Sequence, residues 1–436
     1  MAEVLLSPGA LARENDQSFL QAQPVQAGAA IVGPTVKGPV GIPTLVTTYS
    51  QYQNKFGAVV ESGSAEYTYF TSISAYNYFQ QGGDSLLVTR VVSGSYTSAT
   101  SSTVANTDPT IPETFVLETL SEGTNQNSSS SLGSAGQLAE GTVDNIRWEI
   151  VSPNTASGTF SLLIRRGNDI TTSKTVLETW GNISLDPNAN NYIEKVIGNT
   201  KQTVATDAST GESYIKNDGT YNTLSSYVRV KSVGAKTLNY FDNAGNAKAA
   251  FTGSIPTAAS GTFGDATGAP FVGMEAKFYG DISDTNTQGF DGSALDDTTS
   301  VGTYAVALNL LANQDLYQYN LITAPGLVKE NSKATGELTT MVTTAQTRGD
   351  NLAIVDLVNY DTTTLTTVTA GASAIDSSYA ATYWPWLQTL DPDLGGQVWV
   401  PASTMIPGVY AFNDRSGEAW FAPAGLSRGG LSTVLR

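Results

Sequence analysis

The sequence predicts a multidomain α+β and α/β protein, with an α/β core domain into which a β-rich domain is inserted. Three observations carry this. Strand-like and helix-like segments alternate over residues 29–93 and again over 300–436. Between those stretches, period-two alternation replaces helical spacing. The chain has 436 residues, enough for two to three domains and more than one core.

Residues 1–28 are polar and irregular, apart from Val4, Leu5 and Leu6 ahead of Ser7-Pro8-Gly9. So little apolar surface buries nothing alone, so the segment reads as an arm that needs a partner surface. Residues 29–32 form a short apolar run of strand type. Gly33-Pro34 and Gly38-Pro39 then force turns, because proline fixes φ and has no N–H to donate. After Pro43 the chain extends again over 44–47. Tyr49, Tyr52 and Phe56 mark one face of a short helix closed by Gly57.

Ser64 is the expected N-cap of a longer helix carrying Tyr69, Ile73, Tyr76 and Phe79, with Gly82-Gly83 ending it. The run "SLLVTRVV" at 85–92 suits a strand buried on both faces. Residues 29–92 therefore read β–α–α–β.

Composition changes at Ser93. "SGSYTSATSSTVANTDPT" and "SEGTNQNSSSSLGSAG" are polar and linker-like. Ile146, Trp148 and Ile150 alternate with polar neighbours, as do Phe160, Leu162 and Ile164; Val228 and Val230 follow less regularly. This predicts half-buried antiparallel strands within a β-rich inserted domain at 94–299. Tyr304, Leu308 and Leu311 then mark a helix. "YNLITAPG" at 319–326 reads as a strand ending in a Pro-Gly loop. Leu338, Met341 and Ala345 mark another helix, and "NLAIVDL" another buried strand. The simplest assembly joins 29–93 and 300–436 into one discontinuous α/β core.

Composition excludes much chemistry. The chain has no Cys and no His, so disulfides, thiolate nucleophiles, Cys/His zinc sites and every His-dependent triad are ruled out. No GxxxxGK[ST] loop or dinucleotide fingerprint occurs. The expected cofactors, metals and catalytic residues are none. A net charge of −17 argues against direct nucleic-acid binding. No stretch approaches the roughly 20 apolar residues that span a bilayer, and "MAEVLLSPGALAREND" lacks the basic start of a signal peptide. The expectation is a protein made in the cytoplasm without stable membrane insertion.

Several constellations invite a sharper reading. "DTNTQGFDGSAL" at 284–295 places Asp284, Asn286, Gln288 and Gly289 as a calcium loop would, but Leu295 stands where a bidentate Glu is required, so an Asx-rich turn is expected. Asp391-Pro-Asp393 imitates half of an acid–base pair; a polar turn between a helix and a strand is expected instead. Trp384-Pro385-Trp386, with Tyr379 and Tyr383, has the residues of a sugar-stacking platform, against a core or subunit-interface role. Arg165-Arg166 reads by default as a solvated strand end, with an intersubunit contact as the alternative, and Arg428 as a partner for an acidic neighbour.

The chain resembles the contractile tail sheath proteins of bacteriophages and related injection machines. The resemblance lies in an ordered series: "LLSPGALARE", "AIVGPTVKGPVGIPTLVTTYSQYQNKFG", "YFQQGGDSLLVTRVV", "ETWGNISLDPNANNYIEKVIGN", "GFDGS", "LITAPG", "AIVDL", "YAATYWPWLQTLDP", "VWVPASTMIPGVYAFND" and "EAWFAPAGLSRGGL". The stretches at 93–140 and roughly 235–288 lie outside it.

The resemblance implies a non-enzymatic subunit of the virion tail, made in the host cytoplasm. Such a subunit polymerises helically with itself around the tail tube protein, between baseplate and tail terminator proteins. It contracts from a metastable state to drive the tube through the host envelope, which carries genome ejection. Arms that add strands to a neighbour's sheet would keep sliding subunits linked. Expected interface residues are Val4, Leu5, Leu6, Ser7, Pro8, Arg165, Arg166, Trp384, Trp386 and Arg428. Family members usually continue past "APAGLSRGGL" with a further C-terminal domain facing the tube, so the sequence reads as a piece lacking that domain. The alternatives are a glycan- or receptor-binding virion or cell-surface module using residues 94–299, and an acid glycosidase.

Overall fold

A computed structural model describes residues 25–62, 65–128, 131–268, 278–298, 300, 302–418, 420–431 and 433–436. The architecture is mixed α/β with several sheets. Its centre is a six-stranded sheet ordered Thr44–Val46, Leu86–Arg90, Val25–Gly33, Tyr317–Val328, Leu352–Asp356, Ala380–Thr382. All neighbours run parallel except Thr44–Val46, which is antiparallel to Leu86–Arg90.

The pleat sends alternate residues to opposite faces. Ala29, Ile31, Leu86, Val88, Leu321 and Ile354 share one core with Tyr52, Phe56, Tyr78 and Ile406. Ala30, Val32, Leu87, Ile322 and Val355 share another with Tyr304, Leu308, Leu338 and Met341. Helices Tyr49–Phe56, Phe70–Gln80 and Ile406–Ser416 therefore cover one face, and Tyr304–Leu311 and Ala334–Arg348 the other. Covering both faces explains why Leu86–Arg90 is buried along its whole length. A Cβ at Gly33 would stand 2.3 Å from Thr71 Oγ1, so the close approach of Phe70–Gln80 to the central strand requires glycine there.

Three local expectations are corrected. Position 64 lies outside the described residues, and the long helix starts only at Phe70, with Tyr69 as its cap. Residues Ala65–Thr68 instead pair antiparallel with Val59–Ser62. The cap side chain makes no capping bond; Phe70 N–H is accepted by Gln288 Oε1 at 2.8 Å, from 218 residues away. "LITAPG" does not end its strand: Tyr317–Val328 runs through Pro325-Gly326, with a register shift between Thr323 and Val328 and Gly326 at φ 93°. Helices Leu365–Ser373 and Ile406–Ser416 were not anticipated, because Thr, Gly and Pro mask their periodicity.

The middle of the chain carries two four-stranded antiparallel sheets. One is ordered Val176–Ser184, Thr159–Arg166, Ile146–Asn154, Ala259–Gly261; the other Val228–Val233, Phe115–Glu122, Ser98–Ser101, Phe263–Gly264. They share one core. Ile146, Trp148, Ile150, Phe160, Leu162 and Ile164 meet Phe115, Leu117, Val228 and Val230, and Phe115 stacks on Phe160 at 5.6 Å. Full burial of each such side chain contributes about 1.5–3 kcal/mol. The hairpin of Lys201–Thr206 and Ser213–Asp218 leaves this sandwich for the α/β side. Val204 enters the α/β core and Ser213 N–H donates to Asn309 Oδ1 at 2.7 Å. Phe278, Ile282, Phe290 and Leu295 pack on the α/β side as well.

Candidate functional site

The Gly-Pro segment after the first strand forms a joint. Gly38 has φ 111°, and a Cβ there would stand 2.7 Å from the Phe56 ring, so only glycine turns the chain at this point. The turned backbone meets the start of the sandwich. Gly38 N–H donates to Ser121 Oγ at 2.6 Å and Val40 N–H to Glu122 Oε2 at 3.0 Å. Glu122 N–H returns a bond to Gly38 O at 3.2 Å, and Asn125 Nδ2 donates to Val36 O at 3.0 Å. Lys37 pairs with Asp144 at 3.1 Å.

Arg90, at the end of a central strand and 1% exposed, holds the joint from beneath. Its Nη1 donates to Gly38 O at 2.7 Å and to Glu122 O at 2.9 Å, and its guanidinium lies 5.3 Å from the Tyr96 ring centre. Burial pushes the Glu122 carboxyl up, against the lowering effects of Val40 N–H and the Arg90 charge. Bonds from a charged donor contribute about 1.5–3 kcal/mol each, and a buried carbonyl without a donor costs comparably. Sequence reasoning missed Arg90 and Glu122. The available signal was a lone arginine in the apolar run "SLLVTRVV".

The structure disperses the expected interface residues. Val4, Leu5, Leu6, Ser7 and Pro8 lie outside the described residues. Arg165 is not a solvated strand end. It is 3% exposed, forks onto Asp169 through Nε and Nη2 at 2.7 Å each, and reaches Glu149 at 2.9 Å, so its donors are used within the chain. Arg166, next along the strand, is half-buried. Trp386 is buried; its Nε1 donates to Val358 O at 2.8 Å, and its ring meets Phe70 and Tyr360 edge-on. Trp384 is 42% exposed, so the two indoles form no common platform. Arg428 lies 4.6 Å from the Phe421 ring centre rather than against a carboxylate.

The imitations of chemical sites have structural partners. In the 284–295 loop, Asp284 accepts from Ser332 Oγ and Lys333 N–H, and Gln288 bridges Phe70 N–H and Pro325 O. Asp391 accepts from Thr68 Oγ1 at 2.9 Å and from the N–H groups of Asp393 and Leu394. Asp393 accepts from Tyr49 OH at 2.6 Å and Gln53 Nε2 at 2.7 Å. The turn that holds both joins strands Leu387–Leu390 and Gln397–Val400, not a helix and a strand as expected. Among the described residues, no group of three or more acidic side chains is arranged to hold a metal ion, and no helix is long and apolar enough to cross a membrane.

What the fold leaves open is surface. The six-stranded sheet ends on two strands of three residues each, Thr44–Val46 and Ala380–Thr382, with one side of each ladder unpaired in that sheet. Near residue 420, Trp420 is 77% exposed and Leu426 fully so.

No family model matches the chain, and no curated protein matches its sequence. Among solved structures, a sheath tail protein from Desulfitobacterium hafniense is similar over 98% of this chain and 66% of that one, at 10% identity and a TM-score of 0.39. A sheath tail protein from Listeria innocua is similar over 95% of this chain and 61% of that one, at 9% identity and a TM-score of 0.45. The chain thus spans under two thirds of the length of both structures. At these identities and scores neither likeness assigns a family.

Proposed function

We propose that this chain is a structural subunit of a contractile tail sheath, polymerising helically around a tail tube. One observation carries the reading. Five of the ten segments that bear the sequence resemblance (residues 30–57, 78–92, 321–326, 353–357 and 379–392) supply the central sheet and much of the packing around it. Much of what resembles the sheath family is therefore the structural framework of the α/β side. The core at 29–93 with 300–436 is the polymerising body in this reading, and 94–299 is an inserted outer domain.

Each subunit meets the next through unlike surfaces, which gives an open helix. The short edge strands offer ladder atoms to a neighbour's arm, for which residues 1–24 are the candidate segment, because the expected arm's last residues, 25–28, belong to the central strand Val25–Gly33. Contraction needs no nucleotide when the extended lattice is trapped above a lower-energy one.

Immunogold microscopy of native particles with an antibody to residues 94–299 tests this. Label along a tail shaft that becomes shorter and thicker on contraction is expected. Label confined to a baseplate, a fibre tip or a cell surface overturns the reading.

A further inference from the structure

The chain carries 22 basic against 39 acidic residues, yet one cleft reverses that balance. It has a volume of about 900 Å³ and lies where the Gly-Pro joint, the sandwich and the hairpin beginning at Lys201 meet. Four cationic side chains line it, Lys37, Lys55, Lys201 and Arg229, against two carboxylates, Glu122 and Asp144. Lys37 is engaged by Asp144 and Arg229 by Glu118, at 3.1 and 2.6 Å. Lys55 and Lys201 form no ion pair among the described residues, and both are half-buried. Burial pulls the Lys55 ammonium below its ordinary range. Lys201 acts electrostatically on Glu122 across the cleft, whereas Lys55 has only the cost of its burial, and four cations against two carboxylates are conspicuous in a chain so short of cations.

A complementary defect lies elsewhere on the same chain. In the antiparallel pair Val59–Ser62 and Ala65–Thr68, Glu61 stands directly opposite Glu66. Both are exposed, and neither has a cationic partner among the described residues. Like charges directly opposite on a two-stranded ribbon destabilise it. Two facing carboxylates without a cation, and a cleft whose cations outnumber its carboxylates four to two, are each unfavourable alone and favourable together.

No residue of the hairpin lines the cleft. The two surfaces are distinct patches of one molecule, the arrangement that yields heterologous, non-closing contacts between copies. We infer that the Glu61/Glu66 hairpin of one copy docks into the Lys55/Lys201 cleft of the next. An extended polyanion fits less well, because the field of a −17 chain opposes it along its length. The hairpin delivers two carboxylates at a point, inside the Debye length of about 8 Å at physiological salt. This contact rests on the self-assembling reading above and names surfaces that carry it.

Charge reversal in the full chain tests the pairing. K55E/K201E gives acidic cleft and acidic hairpin; E61K/E66K gives basic cleft and basic hairpin. Each alone is expected to raise the critical concentration for polymerisation about tenfold or more at low salt, and less at high salt. An equimolar mixture then polymerises, because each hairpin finds a cleft of opposite sign on the other variant. Thermal melts matching the wild type separate lost contact from lost folding. If a reversal variant fails to fold, K55Q/K201Q and E61Q/E66Q take its place; both raise the critical concentration, without rescue on mixing. Wild-type polymers with unchanged assembly of the variants, or charge-reversal variants that fold and yet stay apart when mixed, overturn the contact and leave the sheath reading standing. A wild-type chain that forms no polymer under any condition overturns the sheath reading and the contact with it.

Discussion

Trp384 and Trp386 are two residues apart with opposite fates. Trp386 fills the space between Phe70 and Tyr360 and spends its indole N–H on Val358 O. Replacing it with alanine is expected to cost about 3–5 kcal/mol in urea denaturation, whereas Trp384→Ala stays within about 0.5 kcal/mol. Two carboxylates set a pH response. Burial pushes Asp356 up to about 7, against two bonds from Ser403, and pushes Glu337 up to about 7, with Asp296 adding to the shift and Glu337 Oε2 left without a donor. A raised carboxyl binds its proton more tightly in the folded chain than in the unfolded one. The folded state therefore loses stability as pH rises from about 4 to about 7, and the loss is complete above that. The melting temperature should fall across that window, and Glu337→Gln should flatten the fall; an unchanged slope would refute the assignment.

At the scale of elements, capping shows where local rules end. Helix Tyr49–Phe56 starts from Thr48, whose side chain accepts from Gln51 N–H, and stops at Gly57. Every part of that signal lies within a ten-residue window. Thr48→Ala should cost about 1 kcal/mol, read from chemical denaturation. Helix Phe70–Gln80 takes its first N–H acceptor from Gln288, so no local pattern announces where it begins, and Ala65–Thr68, expected to be helical, pair as a strand with Val59–Ser62. The turn at Gly38 is as demanding. Gly38→Ala combines positive φ with a clash against the Phe56 ring, for a loss of about 1–3 kcal/mol.

Over the whole molecule, the joint around Arg90 ties the sandwich to the α/β side. Arg90→Met leaves Gly38 O and Glu122 O without their charged donor while keeping most of the side-chain volume. The expected result in calorimetry is a single transition for the wild type that splits into two for the variant. One unsplit transition at the wild-type temperature would show that the joint does not couple the two cores. Such coupling lets the two cores resist local unfolding as one unit.

The sequence by itself determined most of the strands and helices that form the cores, helix Ile406–Ser416 excepted, and the inward face of the alternating strands. The parting of Ala29 and Ile31 from Ala30 and Val32 came with the structure, whereas Ile146, Trp148 and Ile150 turn inward together, as do Phe160, Leu162 and Ile164. Those patterns are legible because periods of two and 3.6 residues are local properties of the backbone. The ordered motifs that raised the sheath resemblance were legible as residue strings, independently of any period. Tertiary structure alone decided that Gln288 caps a helix 218 residues upstream, that Arg165 is spent on Asp169, and that Arg90 bolts Gly38 to Glu122. It alone brought Lys55 and Lys201 to one cleft. Each of these depends on which polar groups meet once distant segments are buried together. A buried donor or acceptor takes whatever partner the packing supplies, however far away in sequence.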